Sequence, residues 1–146
     1  MEIDEELIER RITEIKSSLL ELAQIIKTGK EEFLSNSLLR NAAKYLLITA
    51  IEGAFSVCNH ISVRKGRVPK SYVDCFLTLA ELGVVEKELA ERLAKMAKFR
   101  NILVHRYWRI DDELVFEIMR EDAKDLEEFV RAVREYVERQ RSQRET

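Results

Sequence analysis

The sequence predicts an all-α protein, an up-and-down bundle of four to five helices. Three observations favour this fold class. The 146 residues include only 4 glycines and 1 proline, so turns are few and long uninterrupted elements are favoured. Apolar residues make up 46% of the chain and charged residues 36%, a mixture that suits amphipathic helices and excludes a disordered chain. Apolar residues recur at helical spacing, and no stretch shows the alternation of a strand.

The first predicted helix covers residues 4–27. Asp4 is suited to its N-cap, and Gly29 stands just past its end. Because its apolar stripe continues for roughly five turns, this helix must pack against other helices. The stripe consists of Ile8, Ile12, Ile15, Leu19, Leu22 and Ile26.

The second predicted helix covers residues 36–63 and begins after Ser35 or Asn36. Apolar residues occupy much of its circumference, so we expect it to lie at the centre of the bundle or to bury a second face in an oligomer. A loop over residues 64–70 follows and is closed by Pro69. The apolar residues of the helix are Leu38, Leu39, Ala42, Leu46, Ala50, Ala54, Phe55, Val57, Cys58 and Ile61.

Two shorter helices follow this loop. Ser71 and Asp74 resemble a capping box at the start of the third helix, and Gly83 is suited to its C′ position. The fourth helix is predicted from near Glu86 to residues 107–109. The third helix has the stripe Tyr72, Phe76, Leu79 and Leu82, and the fourth is expected to bury Leu89, Leu93, Met96 and Val104.

The last helix is predicted over about residues 121–141, and residues 114–119 either extend it or form a turn of their own. The length suffices for one sizeable core, so we expect a single domain over residues 1–146. Its polar tail is expected to fray from about residue 140. The expected buried positions of the last helix are Leu126, Phe129, Val133 and Tyr136.

The composition argues against a membrane protein, a secreted protein and a metal site. No run approaches 18 consecutive apolar residues, so we expect no membrane span. The chain is acidic from Glu2 onward, unlike a secretory signal peptide, so we expect a cytoplasmic protein. With only 2 histidines a zinc site has few candidates, and we expect no metal and no cofactor. Cys58 and Cys75, in apolar surroundings, are expected to be two reduced thiols of the core.

The formal net charge of −2 hides a segregation of charge along the chain. Residues 1–34 and 111–146 carry net charges of −4 and −5, whereas residues 35–110 carry +7. This pattern indicates either an anionic partner or a basic face that pairs with the acidic arms of the same protein, and charge alone favours neither. Two acid-free stretches hold most of the bases: one with Arg64, Lys65, Arg67 and Lys70, the other with Arg92, Lys95, Lys98, Arg100, Arg106 and Arg109.

One short stretch concentrates polar and aromatic side chains that can carry chemistry. On an ideal helix Asn101 and His105 share a face, since they are four residues apart, whereas Arg100 and His105 stand about 140° apart. Arg100 and His105 can converge if Arg100 reaches round, if the helix loosens near His105, or if a second copy of the chain supplies one of them. The stretch contains Arg100, Asn101, His105, Tyr107 and Trp108.

These side chains are the parts needed to cleave RNA without a metal ion. Histidine can act as a general base or acid at neutral pH. Arginine suits a phosphate or a developing phosphorane. Asn101 can orient the imidazole, and Tyr107 and Trp108 can stack on bases.

A structural interpretation competes with this one and is favoured when only the residues are considered. In it, His105 interacts with the helix dipole, and Arg100 pairs with Asp111 or Asp112. The two aromatic side chains then pack at the helix end. His60 has the same two interpretations: it joins the active cleft, or it packs and caps at the end of its helix, which is favoured.

Arg100, His105 and Tyr107 match the Arg-x4-His-x-Tyr motif of the HEPN superfamily, and the surrounding sequence resembles its HepT-like branch. The resemblance extends over about residues 5–137. Further positions that carry it are Asn59, His60, Pro69, Ser71, Tyr72, Phe76 and Trp108.

The resemblance implies a HEPN-like helical bundle that forms a homodimer, in which the motifs of two protomers meet in a composite cleft and cleave RNA without metal. It implies that Arg100 and His105 are catalytic and that Asn101 and Tyr107 support them. It also implies a toxin whose partner is a minimal nucleotidyltransferase antitoxin. In this family such an antitoxin can block the toxin by adding AMP to the motif tyrosine, here Tyr107.

Two functions therefore fit these residues. The first is a metal-independent endoribonuclease whose basic residues follow the RNA backbone, so that binding depends steeply on salt. The second is a non-catalytic subunit that binds substrate or nucleotide for a nucleotidyltransferase. Substitution of His105 by alanine abolishes an activity in the first case and only weakens binding in the second. The RNA-binding residues of the first function are Arg64, Lys65, Arg67, Arg106 and Arg109.

Overall fold

The computed structural model describes residues 2–145, and in that part of the chain it contains helices and connecting turns but no strand. The predicted all-α bundle is confirmed, with one short additional helix between the first two predicted ones. The helices are α1 (Glu5–Thr28), α2 (Lys30–Ser35), α3 (Ser37–Arg64), α4 (Tyr72–Glu81), α5 (Lys87–His105) and α6 (Asp112–Glu145).

Local capping explains where the helices begin. The Asp4 side chain accepts a hydrogen bond from the Leu7 amide at 3.1 Å and caps α1. Asn36 caps α3, and Ser71 caps α4 through the Asp74 amide at 3.0 Å. Gly29, with φ of 92°, ends α1 and turns the chain into α2.

Helix α3 lies at the centre of the bundle and packs against all the other helices. It is long and apolar enough to cross a membrane by length and composition, but 61% of its most apolar window is buried inside the bundle, as in the core helix of a globular domain. Gly53 allows α1 to approach closely, since a Cβ there would stand 2.9 Å from Ile15 Cγ1.

Residues 112–120 form the start of α6 without a break, which confirms the alternative in which residues 114–119 extend the last helix. Its first turns are held by burial of Val115, Phe116 and Met119, which continue the apolar stripe toward the N-terminus. The last turns stay helical to Glu145. Arg141 and Arg144 there pair with Glu5 at the start of α1. Fraying of these turns stays a prediction.

One expected core position of α5 is wrong. Val104 is 40% exposed, and Leu103 is fully buried in its place. The buried stripe continues from Met96 by seven residues to Leu103, and the next residue points about 100° away, toward solvent.

The prediction of two reduced thiols is also wrong, because the structure joins Cys58 and Cys75 in a disulfide. The loop after α3 folds α4 back against it, so the two Cα atoms stand 6.2 Å apart across the α3–α4 contact. Both residues are fully buried. Sequence separation gave no sign of this pairing, since only the return of the chain brings the two side chains together.

Candidate active site

Arg100 points from α5 into the junction with α3 and α4. Its Nη2 donates to Glu52 Oε2 on α3 at 2.5 Å, and its Nη1 donates to Asn101 Oδ1 at 3.1 Å. The guanidinium carbon lies 4.8 Å from the centre of the Tyr72 ring, which stacks in turn on Phe55 at 3.9 Å between ring centres. An ion pair, a cation–π contact and a neighbouring amide therefore fix the guanidinium in one place.

The surroundings of Arg100 combine partial burial with incomplete hydrogen bonding. Its side chain is 18% exposed, and its Nε is buried with no hydrogen-bond partner in residues 2–145. The structural interpretation expected Arg100 to pair with Asp111 or Asp112, and this is wrong, because the carboxylate that reaches it comes from α3 instead. The guanidinium can thus present an edge to a ligand while one carboxylate holds it.

His105 is the last residue of α5 and is exposed. Residues 100–105 are α-helical, so the helix does not loosen between Arg100 and His105. The two side chains leave the helix about 140° apart and about 7.5 Å apart along its axis. Since the helix stays regular and Glu52 and Tyr72 hold Arg100 on its own side, both routes to convergence within one chain are disfavoured.

Tyr107 lies in the turn after α5 and rests against the start of α3. Its hydroxyl is 3.2 Å from the Asn41 carbonyl and 3.3 Å from Asn41 Oδ1, both of which can accept its proton. Lys44 Nζ donates to the Tyr107 carbonyl at 3.1 Å and lies 4.8 Å from the centre of the ring. Partial burial raises the pKa of Tyr107, and the nearby carboxylate of Asp112 raises it further.

Asp112, at the start of α6, supplies the carboxylate that pairs with two basic side chains of α3 beside Tyr107. Lys44 Nζ lies 3.1 Å from its Oδ1, and Arg40 Nε lies 3.3 Å from its Oδ2. Asp111 Oδ1 accepts the Glu113 amide at 2.9 Å, as a capping residue does. Helices α3 and α6 are thus joined by ion pairs directly beside Tyr107.

The two aromatic residues after His105 differ in their surroundings. Tyr107 is half-buried against α3, whereas Trp108 is 85% exposed and lies edge-on to the Tyr107 ring, with 6.3 Å between the ring centres. On α5, Ile102 and Val104 are also exposed apolar residues. The packing expected of both aromatics therefore holds for Tyr107 but not for Trp108, which remains available for contact.

The five predicted RNA-binding residues fall into two groups at different places. Arg106 and Arg109 are exposed in the turn that carries Tyr107. Arg64 stands twelve residues after Glu52 on α3, about 18 Å further along the helix axis. The structure therefore does not bring the loop at the end of α3 next to the motif. That loop group comprises Arg64, Lys65 and Arg67.

His60 lies away from the motif and has a structural partner. It is 8% exposed, and its Nε2 accepts the Asp4 amide at 2.9 Å, so it ties α3 to the start of α1. Burial lowers the pKa of His60, and the charge of Arg64 acts in the same direction. A neutral imidazole is the form that accepts this hydrogen bond.

Sequence reasoning missed the α3 residues that hold the motif. A signal for them existed: Glu52 is the single acid between Glu32 and Asp74, and Lys44 is the single base between Arg40 and Arg64. A lone charge on a central apolar helix needs a partner when it is buried.

In residues 2–145 no three histidine, cysteine or acidic side chains are grouped so as to hold a metal ion.

The chain matches known proteins over most of its length. The family model described as Ribonuclease HepT-like matches residues 8–133. A candidate RNase of Archaeoglobus fulgidus is 34% identical over 130 residues, which cover 88% of this chain and 92% of that protein. The mRNA nuclease HepT of Shewanella oneidensis is 25% identical over 130 residues, covering 88% of this chain and 97% of that protein.

The fold also matches the toxin chain of a solved complex. The tri-AMPylated Shewanella oneidensis HEPN toxin, solved in complex with MNT antitoxin, is similar to this chain with a TM-score of 0.81 at 26% identity. The match covers 88% of this chain and 96% of the toxin chain.

Proposed function

Since this chain belongs to the HepT-like ribonuclease family and is an endoribonuclease, we propose that it acts as the toxin of a toxin–antitoxin pair and cleaves RNA without a metal ion, at a composite cleft of a homodimer. The composite cleft is supported by the divergence of Arg100 and His105, whose side chains leave α5 in different directions. Arg100 is held inward by Glu52, and His105 ends a regular helix on another side. A second protomer would supply the missing partner to each residue.

The proposed reaction uses the 2′-hydroxyl of RNA as the nucleophile. His105 would take the proton of this hydroxyl or give a proton to the leaving 5′-oxygen. Arg100 would stabilise the negative charge of the phosphorane, with a phosphate oxygen replacing Asn101 as the acceptor of Nη1. Asn101 and Tyr107 would support the two catalytic residues. The products would be a 2′,3′-cyclic phosphate and a free 5′-hydroxyl.

Exposed apolar side chains near the motif support a dimer on this side of the molecule. Leu38 and Tyr45 on α3 are 78% and 65% exposed and stand seven residues apart, hence on one face. Ile102 and Trp108 lie at the α5 end of the same region, where Tyr107 contacts α3. Large exposed apolar residues in such a group are typical of an interaction surface.

RNA would reach the cleft along the exposed bases beside it. Arg106 and Arg109 would contact phosphates next to the reacting one, and Trp108 would stack on a base. Arg64, Lys65 and Arg67 would contact only RNA that extends well beyond the cleft, since they stand at the far end of α3.

We also propose that a minimal nucleotidyltransferase antitoxin blocks this protein by adding AMP to Tyr107, in the cytoplasm. The solved relative is tri-AMPylated and bound to MNT antitoxin. Tyr107 is accessible enough to react, since the hydrogen bonds of its hydroxyl in residues 2–145 go to the exposed Asn41. An AMP group there would add negative charge in the turn that carries Arg106 and Arg109, where RNA phosphate is expected.

The test is incubation of the purified protein with end-labelled RNA in EDTA, beside His105→Ala and the matched control His60→Gln. We expect cleavage by the wild type and by the control, with 2′,3′-cyclic phosphate ends. His105→Ala should be slower by at least ~10²-fold, because it loses the general base or acid. Intact mass establishes first that Tyr107 carries no AMP.

Mixing two inactive variants tests the composite cleft. If each cleft takes Arg100 from one protomer and His105 from the other, dimers exchanged between Arg100→Ala and His105→Ala regain one intact cleft in mixed pairs, about a quarter of wild-type activity. No recovery after exchange would contradict the composite cleft. RNA that is bound but never cleaved by unmodified wild type would instead favour the non-catalytic binding subunit.

A further inference from the structure

Lys44 is the buried lysine of α3, with 5% of its surface exposed, and no other lysine in residues 2–145 is buried. A buried ammonium is costly unless it is paired. Its Nζ lies 3.1 Å from the Tyr107 carbonyl, 3.1 Å from Asp112 Oδ1 and 4.8 Å from the centre of the Tyr107 ring. Lys44 therefore contacts both the backbone and the ring of one motif residue.

The neighbours of Lys44 on α3 contact the same connection between α5 and α6. Asn41 accepts a hydrogen bond from the Tyr107 hydroxyl, and Arg40 pairs with the Asp112 oxygen that Lys44 does not contact. Within the connection itself the backbone makes one hydrogen bond, from the Arg109 amide to the Arg106 carbonyl at 2.9 Å. The position of Tyr107 thus depends mainly on side chains of α3.

We propose that Lys44 is a positioning residue for the ribonuclease site, which holds Tyr107 and the adjoining end of α5 against α3. The inference rests on the proposed function, since it assigns Lys44 a role in that reaction. The ammonium supplies a donor to the Tyr107 carbonyl just past the C-terminus of α5, where a cation is favourable. Together with Arg40 it also balances the negative charge of Asp112, which lies beside Tyr107.

The experiment compares Lys44→Met with wild type and with Lys124→Met, an exposed lysine on α6 that serves as the matched control. Fluorotyrosine is incorporated, and the fluorine NMR signal of Tyr107 is assigned by its absence in Tyr107→Phe. We expect Lys44→Met to move this signal toward that of unfolded chain. In RNA cleavage, kcat should fall by at least ~10-fold while KM stays within ~2-fold, because misplaced catalytic groups slow the chemical step.

Several results would overturn the proposal. One is an unmoved Tyr107 signal in folded Lys44→Met, and another is a moved signal with unchanged kcat, which would leave Lys44 a purely structural residue. If Lys44→Met does not fold, Lys44→Gln decides by the same two readouts, since it retains a donor for the carbonyl but no charge. Wild-type protein that does not cleave RNA would refute the proposed function, and the NMR signal alone would then decide whether Lys44 positions Tyr107.

Discussion

Two basic regions of this chain have the same signature in sequence but different surroundings in the fold. Both are stretches without an acid. At the end of α3 and in the loop after it, the structure gives the side chains of three of the four bases a partner within the chain. Arg67 pairs with Glu81 at 2.5 Å, Lys65 donates to Gln140 at 3.1 Å, and Arg64 donates to the Glu2 carbonyl at 3.0 Å. Of these three bases, Arg67 alone reaches a carboxylate in residues 2–145, and that carboxylate lies on α4 rather than in an acidic arm.

The end of α5 differs. His105, Arg106 and Arg109 are exposed, and none of them stands within ion-pair distance of a carboxylate in residues 2–145. The exposed Trp108 lies among them. The charge pattern left two interpretations open, and in the structure the first region has internal polar partners whereas the second stays exposed. Whether a basic stretch is free to bind an anionic partner depends on which side chains the fold places beside it. The local sequence does not reveal those neighbours.

The largest expected effect concerns Arg100, which anchors the α5 region. Arg100→Lys should lower the cleavage rate at saturating RNA by at least ~10³-fold, because an ammonium lacks the planar fork that pairs with Glu52 through Nη2 while it offers Nη1 to a phosphate. Arg92→Lys is the matched control, since Arg92 lies on the same helix and pairs with Asp125 and Glu128 away from the site. A loss under ~3-fold in Arg100→Lys would contradict the proposed catalytic role of Arg100 and the functional assignment of the α5 region.

The next effect concerns stability and lies outside both regions. Asp122 is on the core face of α6, 8% exposed, and its Oδ2 has no hydrogen-bond partner in the described chain. Burial raises the pKa of Asp122 to about 7, and the charges of Asp125 and Glu121 add to this. The folded protein therefore keeps a proton that the unfolded chain releases, so the free energy of unfolding falls as the pH rises from about 4 to about 7.

Asp122→Asn should remove this fall. At pH 8 the variant should be more stable than wild type by about 2–3 kcal/mol, less than the ~4 kcal/mol of the full titration because the buried amide lacks partners. At pH 4 it should be no more stable than wild type. Urea unfolding followed by circular dichroism at both pH values measures the difference. A stability difference that does not change with pH would contradict the burial of an ionisable Asp122. A changed rate of RNA cleavage in Asp122→Asn would show that the stability of the fold also affects the difference between the two basic regions.

The smallest effect compares the two basic regions directly. Arg106→Ala/Arg109→Ala should weaken RNA binding about 10-fold and reduce the slope of log Kd against log salt by about 1 to 2, since two phosphate contacts are lost. The triple variant Arg64→Ala/Lys65→Ala/Arg67→Ala should change both quantities less, although it removes more charge. Filter binding of one RNA over a salt series measures both. A larger effect of the triple variant would reverse the assignment of the RNA path.

The helices and their caps could be predicted because their signals are local. Asp4, Asn36 and Ser71 cap the helices that the apolar periodicity predicts, and those boundaries lie within a residue of the structure. For the last helix the sequence left open whether residues 114–119 extend it, because acidic residues dilute the apolar stripe of its first turns. Val104 was misassigned since a shift of one position turns a side chain by about 100°.

The site was predictable only in part. The sequence by itself determined the helical class, the caps and the motif of Arg100, His105 and Tyr107, because periodicity, capping and motif spacing act over a few residues. Only the tertiary structure decided that Glu52 holds Arg100, that Lys44 holds Tyr107, and that Cys58 meets Cys75. Glu52 and Lys44 stand 48 and 63 residues from their partners, and such contacts exist only once α3 and α5 pack together.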